Sequence, residues 1–127
     1  MLSPSGAVRP YPAPYGEAPL EERARAYLHA NCGGCHRPNG GAPRAEFDLR
    51  FSTATRSTNT CNVQANLDDL GISGAKLIVP GAPEKSVIAQ RMHATDDKRM
   101  PPLGRALVDD KGVELVDAWI RSMPSCP

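Results

Sequence analysis

The chain has 127 residues, a length typical of one domain. Its 15 Lys and Arg residues against 14 Asp and Glu give a formal net charge of +1, so neither nucleic acid nor an anionic membrane is expected as the main partner. No apolar stretch approaches the roughly 18 residues that span a bilayer, and the first residues lack the basic and apolar regions of a secretion signal. We therefore expect no membrane span and no signal peptide within this sequence.

Residues 1–19 are rich in proline and poor in aliphatic side chains. Such a composition favours an extended, semi-rigid segment over a packed element. We interpret residues 1–19 as a linker or docking arm and residues 20–127 as one domain. Only 5% of all residues are aromatic, so a buried cofactor would help to fill the core of that domain.

A first helix is predicted over residues 20–31. Its apolar positions follow the i, i+4, i+7, i+8 spacing of one helix face: Leu20, Ala24, Tyr27 and Leu28. Glutamates in the first turn suit the positive end of the helix dipole. The helix runs directly into Cys32.

Residues 33–76 carry scattered Gly, Pro, Asn, Ser and Thr, which predicts loops, with one short helix near residues 64–70. A second main helix is predicted over residues 83–94, with proline in its first turn. Asp109 or Asp110 can cap a last helix that ends before Pro124. Its apolar face contains Val113, Leu115, Val116, Trp119, Ile120 and Met123.

The run Cys32-Gly33-Gly34-Cys35-His36 is the CxxCH signature of covalent haem attachment. Two thiols add to the haem vinyl groups, and the adjacent imidazole is held under the iron. The motif occurs once, so the sequence predicts a single haem.

Three other uses of this cysteine pair are a zinc knuckle, a redox-active pair and a structural disulfide. Zinc would need two more ligands at comparable spacing, yet Cys61 and Cys126 are distant. A redox CxxC usually opens a helix after a strand, whereas this pair closes a predicted helix. These alternatives are less consistent with the pattern.

Met100 is the leading candidate for the second axial ligand. It lies in Arg99-Met100-Pro101-Pro102, where the prolines stiffen a loop that must hold a weak sulfur donor against iron. A Met ligand raises the haem potential, whereas an open position invites small ligands.

Other sulfur and imidazole groups are possible rivals. Met92 and Met123 fall on predicted apolar helix faces, which indicates core packing. His93 is chemically sound as a second imidazole ligand but lies on the preceding helix, and His29 lies within the first helix.

Taken together, the helix ending in CxxCH, the loop-rich middle, the Met-Pro loop and the aromatic-bearing last helix resemble a class I cytochrome c domain over about residues 20–123. Further runs are similar to cytochrome c modules attached to larger bacterial extracytoplasmic proteins such as quinoprotein dehydrogenases: Val79-Pro80-Gly81, Pro83-Glu84-Lys85-Ser86, Arg99-Met100-Pro101-Pro102-Leu103 and Ala118-Trp119-Ile120. The resemblance implies an all-α cytochrome c fold, with three to five helices around one covalently bound haem c.

The resemblance also implies site roles. Cys32 and Cys35 would form the thioether links, His36 would be the proximal ligand and Met100 the distal ligand. The first and last helices would cross, with Trp119 meeting small residues such as Ala24. A loop carbonyl, at Pro43 or Ala42, would accept the proximal imidazole N–H.

Two cysteines depart from the simplest members of this family. Haem is attached outside the cytoplasm, and that compartment permits a disulfide between Cys61 and Cys126. Free thiols or an intermolecular bond are the alternatives. Several basic side chains could pair with haem propionates or steer a partner, although each could equally be a solvated surface charge: Arg44, Arg50, Lys98 and Arg99.

The function expected from this resemblance is single-electron transfer by a carrier domain, not catalysis. Its donor would be a dehydrogenase partner or a fused dehydrogenase domain, its acceptor another cytochrome or an oxidase, and its location periplasmic or otherwise extracytoplasmic. We expect the isolated domain to be monomeric. The alternative is a haem enzyme or gas sensor with a displaceable sixth ligand, in which His93 would be the acid or base.

Overall fold

A computed structural model of the chain describes residues 12–38, 40–41, 46–65, 69–94, 100 and 109–127. Within these ranges the regular structure consists of three α-helices: α1 (Leu20–Cys32), α2 (Val87–His93) and α3 (Asp110–Ser122). Single 3₁₀ turns occur at Thr55–Ser57 and Pro83–Lys85. The predicted all-α class is confirmed.

One hydrophobic core joins the three helices. From α1 it takes Ala24, Tyr27 and Leu28, which are the apolar positions that the helical spacing predicts. The other helices contribute their predicted apolar faces: Val87, Ile88, Ala89 and Met92 from α2, and Val113, Leu115, Val116, Trp119 and Ile120 from α3. The core therefore lies between α1 and α3. Helix α2 packs against α3 and against the 3₁₀ turn at Pro83–Lys85.

The crossing of α1 and α3 is unusually close at Gly112. A Cβ atom at this position would collide with the Tyr27 ring. The Tyr27 hydroxyl donates to Asp109 Oδ2 at 2.7 Å, while Asp109 Oδ1 accepts the Gly112 N–H at 3.2 Å. Asp109 is thus the cap of α3, as predicted, and it also fastens α1 to the start of α3.

The second predicted helix is interrupted at Ser86, which is extended (φ −95°, ψ 112°). The buried Ser86 hydroxyl donates to the Ala82 carbonyl at 2.9 Å and accepts the Val79 N–H at 2.8 Å. Val87 then donates its N–H to the Lys76 carbonyl at 2.8 Å, outside the helix. These tertiary hydrogen bonds outweigh helical continuity, so the predicted 83–94 helix is a 3₁₀ turn followed by the short α2.

The middle of the chain is loop-rich, as predicted, but the short helix expected near residues 64–70 is not seen where the structure describes this segment, and residues 66–68 lie outside it. Leu70 (φ 59°) and Gly71 (φ 71°) adopt left-handed conformations that end any helix. In the same middle segment, the Sγ atom of Cys61 lies 1.99 Å, a disulfide distance, from that of Cys126 near the end of the chain.

The described part of the proline-rich arm, residues 12–19, forms turns and bends. The Tyr15 ring is 5.9 Å from the Lys111 ammonium at the start of α3. Residues 1–11 lie outside the described part of the chain. None of the helices described combines the length and apolarity that a membrane crossing needs.

Candidate functional site

The CxxCH motif is a continuation of α1 into one tight turn. The Cys35 and His36 N–H groups donate to the Cys32 carbonyl at 3.2 and 2.9 Å. Gly33 is required here because a Cβ atom would lie 2.8 Å from the His29 carbonyl oxygen. Cys32 and Cys35 are both outside the Cys61–Cys126 pair, and Cys32 is half-buried whereas Cys35 is exposed.

His36 is held by the loop that follows the motif. Its imidazole stacks on the Phe47 ring, with centroids 4.3 Å apart and planes 8° from parallel. Its carbonyl accepts the Leu49 N–H at 2.7 Å. Burial lowers the pKa of His36, and the nearby Arg91 charge lowers it further, which favours the neutral imidazole that binds metals.

One ring nitrogen of His36, Nδ1, is buried and has no hydrogen-bond partner among the described residues. A buried donor of this kind normally has an acceptor. The carbonyl expected to accept it, at Pro43 or Ala42, lies outside the described residues.

Met100 and Cys32 line the same small cleft, which is partly open to solvent. The remaining lining residues come from all three helices and the cap of α3: Tyr27, Asn31, Met92, Asp109 and Val113. The Met100 N–H donates to the Arg91 carbonyl at 3.0 Å. Arg91 therefore links the Met100 backbone to the surroundings of His36.

The two rival histidines are engaged elsewhere. His93 Nε2 lies 2.7 Å from Asp117 Oδ2 on α3, and the His93 side chain is 43% exposed. His29 Nδ1 accepts the Phe51 N–H at 3.0 Å. The cleft that contains Met100 is lined by Cys32 but by none of the three histidines, so His36 and Cys35 lie beside it on the turn that follows Cys32.

The methionines interpreted as core residues differ in their surroundings. Met92 is buried in the core, at 7% exposure, but it also lines the cleft. Met123 is half-buried and packs against the core at the end of α3.

Of the basic residues considered for propionates or docking, only Arg50 lies within the described residues. Its guanidinium is bonded to Asp48, with Nη2 2.7 Å from Oδ2. Arg44, Lys98 and Arg99 lie outside the described residues. Trp119 and Ala24 are both in the core that joins α1 and α3.

Sequence reasoning missed the residues that surround the motif. Phe47 is 11 residues after His36, so no local spacing connects their rings. A signal did exist on α1, where the polar residues Glu21, Arg25 and His29 recur every four positions and so lie on one helix face. All three contact the same loop.

The donor set fits a covalently attached haem. Two thiols three positions apart, an imidazole next to the second thiol and a thioether in the cleft beside the first are the groups that such a haem requires. The buried Nδ1 of His36 is consistent with an imidazole whose other nitrogen serves as a ligand. Among the described residues no three His, Cys, Asp or Glu side chains cluster to hold a metal ion by themselves.

Comparison with known proteins identifies one family. The family model described as Planctomycete cytochrome C matches residues 32–104, more than half of the chain, from the first cysteine of the motif to beyond Met100. Neither a curated protein nor a solved structure matches the chain. The chain therefore belongs to the planctomycete cytochrome C family, and haem-based electron transfer is the function that this membership implies.

Proposed function

We propose that this chain carries single electrons on one haem c, bound by thioether links to Cys32 and Cys35 and by His36 and Met100 as axial ligands. The observation that carries the proposal is the placement of Met100 in the same cleft as Cys32, with His36 on the turn that follows. The haem would supply a one-electron iron couple whose potential depends on these ligands and on its surroundings.

Both proposed ligands are held by contacts with neighbouring residues. His36 is fixed by the ring stack with Phe47 and by the Leu49 N–H on its carbonyl. Met100 is fixed by its N–H on the Arg91 carbonyl. An electron carrier benefits from ligands that stay in place, because little then rearranges between its two oxidation states.

The alternative of a haem enzyme or gas sensor requires a distal acid or base in the cleft. His93, the candidate for this role, is on the surface with Asp117 as its partner. The acid that does line the cleft, Asp109, accepts the Tyr27 hydroxyl and the Gly112 N–H as the cap of α3. We therefore propose a carrier and not a catalyst.

We further propose a cellular compartment and redox partners for this chain. Covalent haem attachment and a Cys61–Cys126 disulfide both suit a periplasmic or otherwise extracytoplasmic compartment. A dehydrogenase, separate or fused, would supply electrons, and another cytochrome or an oxidase would accept them. The isolated domain would be a monomer, with residues 1–19 as its linker.

Attachment and stoichiometry can be measured together by mass spectrometry of the denatured protein produced with a cytochrome c maturation system. The wild type should carry the mass of one haem. Cys32→Ala/Cys35→Ala should lose it, whereas the matched control Cys61→Ala/Cys126→Ala should keep it. Haem that is lost from the wild type on denaturation, or retained by Cys32→Ala/Cys35→Ala, would contradict the proposal.

A further inference from the structure

A polar stripe on α1 fastens the loop of residues 47–55 to the helix. The stripe consists of Glu21, Arg25 and His29, spaced four residues apart on one helix face. His29 Nδ1 accepts the Phe51 N–H at 3.0 Å, and Glu21 Oε2 accepts the Thr55 hydroxyl at 2.5 Å. The loop is thus attached to the helix at several points along its length.

Arg25 is the centre of this attachment. It is a charged residue that is only 5% exposed. Its Nη1 donates to Thr55 Oγ1 at 2.6 Å, and its Nη2 donates to the carbonyls of Arg50, at 2.8 Å, and Thr53. A single guanidinium therefore holds three points of the loop.

Stability alone does not explain a buried arginine at this position. Burying a charge requires that its desolvation be offset by its hydrogen bonds, and apolar side chains of similar volume are often as stable in such sites. Unlike an apolar side chain, the planar guanidinium donates hydrogen bonds in fixed directions and so fixes the positions of the loop carbonyls that accept them.

The other end of the loop contacts His36. The Phe47 ring is stacked on the imidazole at 4.3 Å, and the Leu49 N–H donates to the His36 carbonyl at 2.7 Å. Leu49 itself is buried in the core at 3% exposure. The loop therefore connects the guanidinium of Arg25 to the ring and the backbone of His36.

We propose that Arg25 is a positioning residue for His36, which sets the orientation of the imidazole through the 47–55 loop and the Phe47 ring. The inference rests on the proposed function, since the orientation of the imidazole has consequences only if His36 is an axial ligand. It assigns a redox-tuning role to a helix residue with no direct contact to the ligand.

The test compares the holoproteins of wild type, Arg25→Met and Phe47→Leu. Arg25→Met keeps the length of the side chain but removes its donors, and Phe47→Leu removes the ring stack but keeps the loop attached. Thr55→Val, which removes the hydroxyl that joins Arg25 to Glu21, serves if Arg25→Met does not fold. Ile120→Ala is the matched control, since Ile120 is fully buried in α3 and does not line the cleft.

The measurements are the proton NMR shifts of the His36 ring in the oxidised protein and the reduction potential. Arg25→Met should change the His36 shifts and the reduction potential, and Phe47→Leu should change each of them in the same direction as Arg25→Met does. The effect of Arg25→Met should be smaller in the Arg25→Met/Phe47→Leu double variant, relative to Phe47→Leu, than in the wild type, because the two residues act through the same path. Ile120→Ala should destabilise the protein without moving the His36 shifts.

Unchanged His36 shifts and potential in Arg25→Met and Thr55→Val would overturn the inference, as would effects that simply add to those of Phe47→Leu. If the wild type shows no iron-shifted His36 ring protons at all, the axial ligand assignment itself is wrong. The two failures are therefore distinguishable.

Discussion

Asp48 shows how strongly one side chain can be constrained by its neighbours. Hydrogen bonds from the Arg50 guanidinium, together with those from Thr53 and the Arg50 N–H, hold the pKa of Asp48 well below its ordinary value, against the opposing effect of burial. The ionised carboxylate therefore favours the folded state. This contribution is fully present above the unfolded pKa of about 3.9 and is lost as the pH falls toward the lower folded value.

Asp48→Asn should accordingly make the acid side of the stability profile shallower, since the side chain no longer titrates. Arg50→Ala, which keeps the carboxyl but removes its main donor, should have the same effect. The measurement is the free energy of urea unfolding of the holoprotein between pH 6 and about pH 3. Identical pH slopes in the wild type and Asp48→Asn would contradict this account.

For single residues, the sequence predicts a functional group when the residues that form it are close together along the chain. Cys32, Cys35 and His36 form a local motif, so their proximity follows from their spacing. The stack of Phe47 on His36 and the hydrogen bond from the Arg25 guanidinium to Thr55 join residues 11 and 30 positions apart, and no local pattern specifies such pairs. They follow only from the fold.

At Gly112, the packing of α1 against α3 favours glycine although helix propensity favours alanine. In an ordinary helix interior, Gly→Ala stabilises by about 1 kcal/mol. Here the added methyl group would collide with the buried Tyr27 ring, which is held by Asp109. Local preference and tertiary packing therefore have opposite signs at this residue.

Gly112→Ala should lower the free energy of unfolding by about 1–3 kcal/mol, the usual cost of overpacking. Tyr27→Leu is the second variant, because it removes the ring that the added methyl group would meet. Thermal and urea unfolding give the free energy of unfolding of each variant. The double variant Gly112→Ala/Tyr27→Leu should lose less free energy of unfolding than the sum of the losses in the two single variants. A stabilised Gly112→Ala would show that the helices are not in this contact.

Among the elements, α1 and α3 could be predicted nearly to the residue because their apolar faces are long and periodic. The second helix could not, because its division at Ser86 depends on hydrogen bonds to Val79 and Ala82 and on the neighbouring segment at Lys76. The 3₁₀ turn at Thr55–Ser57 has no periodic signal and was not predicted. Short elements are decided by tertiary contacts in this chain.

At the largest scale, Cys61 and Cys126 lie at disulfide distance, are separated by 65 residues and enclose both α2 and α3. Closing a loop of this length restricts the unfolded chain, which is worth about 4 kcal/mol in the entropy model. Cys61 is also adjacent to the ladder in which the Asn62 N–H donates to the Ile78 carbonyl at 2.7 Å. The disulfide that we propose between Cys61 and Cys126 would tie the loop-rich middle to the end of the chain.

Cys61→Ser/Cys126→Ser should therefore lower the free energy of urea unfolding by up to about 4 kcal/mol. A thiol reductant should have a similar effect on the wild type and none on the double variant, because thioether links to haem are not reduced by thiols. Equal stability with and without the reductant would show that these cysteines are not bonded to each other.

We propose that His36 and Met100 together hold the haem iron. The most direct test is the weak near-infrared charge-transfer band that a sulfur-ligated ferric haem shows, measured for the wild type, Met100→Ala and Met92→Ala. Both methionines line the same cleft, so they form a matched pair. The wild type and Met92→Ala should show the band, and Met100→Ala should lose it and bind carbon monoxide. A band that survives in Met100→Ala, or a wild type that lacks the band and binds carbon monoxide at once, would contradict the claim.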